Sequence, residues 1–272
     1  MRAQANTEGA GASSRAGEGE PMLLVHGITD TYRSWELTQP LLAKRHDTLA
    51  ITLLGHSGGR PLAAAGETSL RELVDEAERD MDAAGFETAH LVGNSLGGWI
   101  VLELAARGRA RSVVALSPAG GWDPGNFWAL ASYWQLVAQQ RLLALTKPIA
   151  LDLAARPRGR WVVLGGLVSD PPAVPAGLAA ALVRGAADCP AALPLLLESK
   201  ANGYPDLAEI DCPVRIAWGT KDHLLPSKHV SARFRTQVPQ AEWIDIPGAG
   251  HLPQIDHPEL TAELVLAVSD PR

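Results

Sequence analysis

Six short apolar runs punctuate the chain, at residues 22–26, 48–53, 89–92, 112–116, 214–218 and 242–246, each bounded by turn-forming residues. Runs this short and this continuous predict strands covered on both faces. Between them the period changes to helical. Ser69 and Glu72 are spaced for a capping box, and Leu70, Leu73, Val74, Ala77, Met81 and Ala84 fall on one face behind it. A second helix is predicted from Leu96 to Arg107, with Ile100, Val101, Leu104 and Ala105 inward and Gly108 as its stop. Strand and helix in alternation predict an α/β class domain with a mostly parallel sheet flanked by helices. From 122 to 204 strand signals fade, and Ala, Leu, Pro and Trp recur with helical periodicity. The expected organisation is a flexible polar tail at 1–20, a core at 21–121 and 205–272, and a helical cap inserted at 122–204.

Composition narrows the function classes. The chain has 272 residues, 46% of them hydrophobic and 20% charged, enough to bury a full core. A net charge of −6 with no basic stripe argues against nucleic acid and anionic membranes as partners. No apolar run approaches the roughly 18 residues that span a bilayer. The opening "MRAQANTEGAGASSRAGEGEP" has no apolar segment of the secretory kind, so a cytoplasmic location is the expectation. Cys189 and Cys212 are each followed by proline, match no zinc or redox spacing, and read as free buried thiols. No metal-ligand cluster and no Rossmann-type phosphate loop is present in the sequence, so no cofactor and no metal are implied.

Two segments match the pattern G-x-S-x-G, which marks a nucleophilic serine only in a strand–tight turn–helix context. They are Gly55-His56-Ser57-Gly58-Gly59 and Gly93-Asn94-Ser95-Leu96-Gly97. Both follow a strand. Only Ser95 leads into an amphipathic helix; Ser57 is followed by Gly58-Gly59-Arg60-Pro61, which cannot propagate one. Ser95 is therefore the expected nucleophile.

With that context the chain resembles the α/β-hydrolase fold family from about Pro21 to its end. "LLVHGITD" resembles the family's His-Gly motif, and "ITLLGHSGGRPL" its glycine-rich loop, with Ser57 where glycine is frequent. "RIAWGTKDHLLP" resembles the segment carrying the acid, and "IPGAGHLPQIDHP" the loop carrying the histidine. The resemblance implies a triad of Ser95, Asp222 and His251, in the chain order of this fold. It also implies an oxyanion hole from the backbone N–H groups of Leu96 and Ile28, with His26 bracing the second loop. Asp123, after the strand at 112–116, is the competing acid. It lies seven residues past Leu116, whereas Asp222 lies four past Trp218.

The aromatic residues of the insertion, among them Trp122, Trp128 and Trp134, are expected to line an apolar substrate pocket. The implied activity is hydrolysis of a carboxylic ester, lactone or thioester of a hydrophobic small molecule, by a monomer or a homodimer. Two other readings stay open: a carbon–carbon bond hydrolase acting on β-diketone-type substrates, and a non-hydrolytic cyclase or ligand receptor that keeps the triad. Serine at the elbow sets the chain apart from the epoxide hydrolase branch, where the resemblance expects aspartate. The family has two further strands before the His-Gly strand, for which only the polar tail is available here, so the expectation is either a sheet of about six strands or a degenerate hairpin within the tail.

Overall fold

The computed structural model describes residues 11–62 and 68–270. Its strands are β1 (Ser14–Ala16), β2 (Glu20–Val25), β3 (His46–Ile51), β4 (Ala89–Asn94), β5 (Ala110–Leu116), β6 (Val214–Gly219) and β7 (Glu242–Ile246). They form one sheet in the order β1-β3-β2-β4-β5-β6-β7, parallel except for β1, which runs antiparallel to β3. All six expected strands are present, within a few residues at their ends.

The seventh strand corrects the boundary of the tail. Ser14–Ala16 pairs with Thr48–Ala50, and Arg15 adds a salt bridge to Asp47 at 2.5 Å. An edge strand needs only one row of backbone bonds and no apolar face, so its polar sequence gave no strand signal. Residues 1–10 of the expected tail lie outside the described residues.

Helices α1 (Gln39–Leu42), α2 (Leu70–Ala83) and α3 (Leu96–Ala106) lie between β2 and β5 in the chain. Five more, α4 (Phe127–Leu145), α5 (Lys147–Ala155), α6 (Arg160–Leu164), α7 (Ala176–Ala187) and α8 (Ala192–Asn202), fill the interval between β5 and β6. The chain closes with α9 (Ser227–Val230), α10 (Ala232–Gln237), α11 (Pro253–Asp256) and α12 (Pro258–Ser269) around β7. Ser69 Oγ accepts the Glu72 N–H at 3.1 Å, so the N-cap read from the sequence is made.

Alternation along β2 shows why its run is continuously apolar. Leu23 and Val25 enter the core shared with α2 and α3, while Met22 and Leu24 enter the one shared with Trp35 and α12. With both faces covered, the parallel strands align their carboxyl ends, where loops from different strands converge. In open α/β sheets that edge is where ligands bind.

Candidate active site

β4 ends at Asn94 and α3 begins at Leu96, so Ser95 alone makes the turn between them. Its φ of 55° and ψ of −117° lie outside the ordinary regions for a side chain bearing a Cβ. Neighbouring elements hold it there: its N–H donates to Leu116 O at 2.9 Å, and its carbonyl accepts from Ala119 N at 2.9 Å. The flanking glycines are required by close approach. A Cβ on Gly93 would stand 2.1 Å from Gly97 O, and one on Gly97 2.3 Å from Val25 O. These contacts leave the Ser95 side chain at the carboxyl edge of the sheet, under α4–α8.

After β7 a glycine-rich loop delivers His251. Its Nδ1–H donates to Asp222 Oδ2 at 2.8 Å, and both side chains are almost wholly buried. The other carboxylate oxygen, Oδ1, accepts the N–H groups of Leu224 (3.0 Å) and Leu225 (2.8 Å). Three bonds thus fix the orienting carboxylate and the imidazole in one tautomer, with Nε2 left as the acceptor. Ser95 and His251 line the same narrow cleft. Asp123 is exposed and lines neither that cleft nor the cavity beside it.

The loop after β2 supplies the other wall. Gly27 is where a Cβ would come within 3.0 Å of the Ser95 Cβ, and Ile28 follows it into the cleft. Thr29 has a φ of 64°, a left-handed turn in a residue other than glycine. His26 is buried beneath the loop, donating from Nδ1 to Gly27 O at 2.7 Å and accepting the Leu53 N–H on Nε2 at 3.0 Å. Burial holds its pKa well below the usual imidazole range, with the nearby His56 adding to the effect. It is a neutral brace, as the sequence reading had it. Leu96 opens α3, and the first N–H groups of a helix have no acceptor a turn behind. Leu96 and Ile28, from two different elements, line the space beside Ser95.

Ser95 stands between two spaces. The narrow cleft runs under α4, α6 and α7, past Leu143, Leu164 and Val183. A larger cavity of about 1070 Å³, partly open to solvent, lies on the other side, against Trp122, Tyr133 and Tyr204. Of the three tryptophans expected to line a pocket, the structure puts only Trp122 there. Trp128 and Trp134 are 42% and 53% exposed and line neither space. The helical period was read correctly but its inward side was not: α4 is apolar all round, so pattern alone could not say which face meets the core.

Three polar side chains that support this geometry went unrecognised in the sequence. Asn94 Nδ2 donates to Leu116 O at 3.1 Å and to the backbone O of His251 at 3.0 Å, tying the elbow to the histidine loop. Asp256 accepts the N–H groups of Gly250 (2.7 Å) and Ser169 (2.8 Å). Asp30 lines the cleft with one oxygen on the Thr31 N–H at 2.7 Å and the other without a partner among the described residues. Burial raises its pKa to about 7. Only Asn94 carried a signal, its place inside the elbow pattern. The other two depend on contacts between distant loops.

Residues 22–264 match the profile of the alpha/beta hydrolase family. The chain is 33% identical over 200 residues to epoxide hydrolase EphH of Mycobacterium tuberculosis, a match covering 71% of this chain and 91% of that protein. Its fold is similar to that of the carboxylesterase CesB of Bacillus subtilis (TM-score 0.71, 20% identity, 96% of this chain and 87% of that one). It is equally similar to a 2-hydroxy-6-oxo-6-phenylhexa-2,4-dienoate hydrolase of a Rhodococcus species (TM-score 0.73, 19% identity, 94% and 93% covered).

Proposed function

Since the chain belongs to the alpha/beta hydrolase family, we propose that it is a serine hydrolase cleaving a carboxylic ester of a hydrophobic small molecule through an acyl-enzyme on Ser95. The observation that carries this reading is the elbow serine in a cleft shared with a histidine whose Nδ1 is bonded to a buried aspartate at 2.8 Å. A serine hydroxyl needs a base to attack at neutral pH, and a neutral His251 with a free Nε2 is such a base. Ser95 Oγ adds to the ester carbonyl while Nε2 takes its proton. The oxyanion is held by the N–H groups of Leu96 and Ile28, and Asp222 stabilises the imidazolium. Collapse expels the alcohol, which takes the proton from His251. Water then repeats the sequence on the acyl-enzyme, releasing the acid and free Ser95. The apolar linings on both sides of Ser95 suit an uncharged acyl group and an uncharged leaving group.

The kinship to an epoxide hydrolase sets a chemical question. A carboxylate that opens an epoxide forms an ester, which water can hydrolyse; a serine would form an alkyl ether, which has no carbonyl for water to attack. Ser95 therefore favours acyl transfer over epoxide opening. A carbon–carbon hydrolase is the second reading. It is favoured by Asn94 before the nucleophile and by 36% identity over 110 residues to a 2-hydroxymuconate semialdehyde hydrolase of a Pseudomonas species.

One panel tests all three: p-nitrophenyl esters of graded acyl length, lactones, a dienoate diketone and an aryl epoxide, each on wild type and Ser95→Ala. Ester turnover that disappears in Ser95→Ala, with a serine-directed phosphonate labelling Ser95, is the expected result. Epoxide turnover that survives Ser95→Ala would overturn the assignment.

A further inference from the structure

The outer face of α4 is as apolar as its inner one. Leu136, Val137 and Leu143 turn inward; Phe127, Trp134 and Leu145 stand on the opposite side at helical spacing, 72%, 53% and 84% exposed. Arg141 is the one charged residue of the helix. Further apolar side chains are exposed beyond the end of α4, at Ile149 on α5 and at Trp161 and Val162 on α6. A helix about 28 Å long that presents an apolar strip to solvent departs from the rule for a surface helix, whose outer side is polar.

Charge identifies what covers it. Residues 127–164 hold five basic side chains (Arg141, Lys147, Arg156, Arg158, Arg160) and one acidic one (Asp152), in a chain that carries −6 overall. Arg160 is buried on backbone carbonyls, so the cations at the surface are the other four. Lys147 and Arg156 are paired, with Asp188 and Asp152. Arg141 and Arg158 have no carboxylate within salt-bridge distance among the described residues, and Lys200 Nζ lies 5.0 Å from the Trp134 ring centre, beside the strip. Exposed tryptophans and aliphatic side chains bordered by cations match the boundary layer of an anionic bilayer. A second copy of this chain would bring the same cations face to face. The overall charge of −6 conceals the patch, which is why the sequence argued against a membrane.

We propose that the outer face of α4–α6 docks on an anionic lipid surface, lying in the headgroup boundary rather than crossing it. No single helix among the described residues is long and apolar enough to cross a membrane. The larger cavity opens beside the same helix, at Asn126, Leu130 and Lys200, so docking brings its mouth to the lipid boundary. This inference stands apart from the reaction assigned to Ser95, because Phe127, Trp134, Leu145, Ile149, Trp161 and Val162 line neither the cleft nor the cavity.

The test is flotation of the full chain with vesicles of phosphatidylglycerol and phosphatidylcholine in equal parts, against phosphatidylcholine alone. Binding to the anionic vesicles that weakens with salt is expected, since each cation near such a surface contributes about fivefold. Trp161→Ser with Val162→Ser should weaken it at least tenfold, and Arg141→Gln with Arg158→Gln should weaken anionic binding alone. Turnover of a water-soluble ester by both variants should match wild type, which shows that the fold is intact. Absence of binding to either vesicle overturns the proposal. So does a dimer in sedimentation that Trp161→Ser with Val162→Ser converts to monomer, because the strip would then be a contact between copies.

Discussion

The loop at 55–59 and the elbow at 93–97 carry the same glycine–x–serine–x–glycine pattern, yet the fold holds them in different ways. In the first, Ser57 keeps a negative φ, Gly55 turns the chain at φ 69°, Gly59 admits Leu53 O within 2.2 Å of where a Cβ would stand, and the loop closes through Gly55 N–H to Arg60 O at 2.7 Å. Its outer side is pinned by Ala12 N–H on Gly58 O at 2.8 Å. In the second, strain falls on the serine itself, at φ 55°, and the glycines on each side admit backbone from β2 and α3 within 2.5 Å of where a Cβ would stand. A pattern of residue types is therefore only half of a nucleophile motif. The other half is which residue bears the strained dihedral, and a following helix is what forces it there.

The largest expected effect separates the two serines. Ser95→Ala should lower ester turnover by roughly 10⁵-fold or more, because it removes the attacking atom and leaves only binding and the oxyanion donors. Ser57→Ala should stay within about threefold of wild type, since Ser57 lines neither space beside Ser95. Comparable losses in the two variants would mean that the loops share one function, and the contrast would collapse.

Next in size is the acid. Asp222→Asn keeps the shape but donates where His251 needs an acceptor, so turnover should fall about 10³- to 10⁴-fold with the thermal midpoint little changed. Asp123→Asn, on an exposed side chain, should leave turnover unchanged. A reversed outcome in steady-state kinetics would move the acid to the end of β5.

Two glycines near the serines, Gly97 of the second pattern and Gly58 at the variable position of the first, separate crowding from backbone strain in stability. Gly97→Ala sets a methyl group 2.3 Å from Val25 O and 2.5 Å from His26 O, inside the sheet's covered edge. About 3 kcal/mol or more of destabilisation is expected in urea unfolding. At Gly58 a methyl group meets only the Ala12 Cβ, at 3.5 Å, so Gly58→Ala carries just the cost of its left-handed backbone, about 1 kcal/mol. Equal losses would show that steric crowding at the elbow has been overstated.

What was legible in the sequence follows the same division. β2 to β6 announced themselves because burial on both faces demands runs rich in Val, Ile and Leu, while β7, at one edge of the sheet, showed through Trp243, Ile244 and Ile246. β1, needing one row of backbone bonds at an edge, left no such trace. Within the candidate site, Ser95, Asp222 and His251 could be singled out because each sits just past a strand in a short loop with its own turn chemistry. Asp256, which holds Gly250 and Ser169, and Asp30, in the cleft, are set by loops that meet only after the sheet has formed. Trp128 shows the opposite limit. On a helix apolar all round, nothing local says which side faces inward; here the ring stacks on His229, 4.4 Å away at the surface.

A subtler effect lies in acid stability, where a histidine of the first loop and an aspartate in the cleft beside the elbow should titrate in opposite directions. His56, in the first loop, is buried, donates from Nδ1 to Leu54 O at 3.0 Å, and has its pKa lowered to about 4 by desolvation. The folded state then binds fewer protons than the unfolded one, so the stability it contributes is intact above pH 6.5 and lost as the pH falls toward 4. Asp30, in the cleft beside the elbow, has its pKa raised by burial to about 7. There the folded state binds more protons, so stability grows as the pH falls from 7 toward 3.8. At 1.36 kcal/mol per unit, each shift amounts to at most about 3 to 4 kcal/mol, and the two oppose each other across the same window. Wild type should therefore hide both. Asp30→Asn should lose stability more steeply than wild type between pH 7 and 4.5 in urea titrations, because the imidazole is left unopposed. His56→Gln should lose it less steeply, or gain. His26, also buried and neutral, adds the same downward slope to wild type and Asp30→Asn; without His56 its own pKa is lowered less, which flattens His56→Gln further. If both variants track wild type across that range, neither group is buried in the protonation state assigned to it, and the electrostatic contrast between them fails.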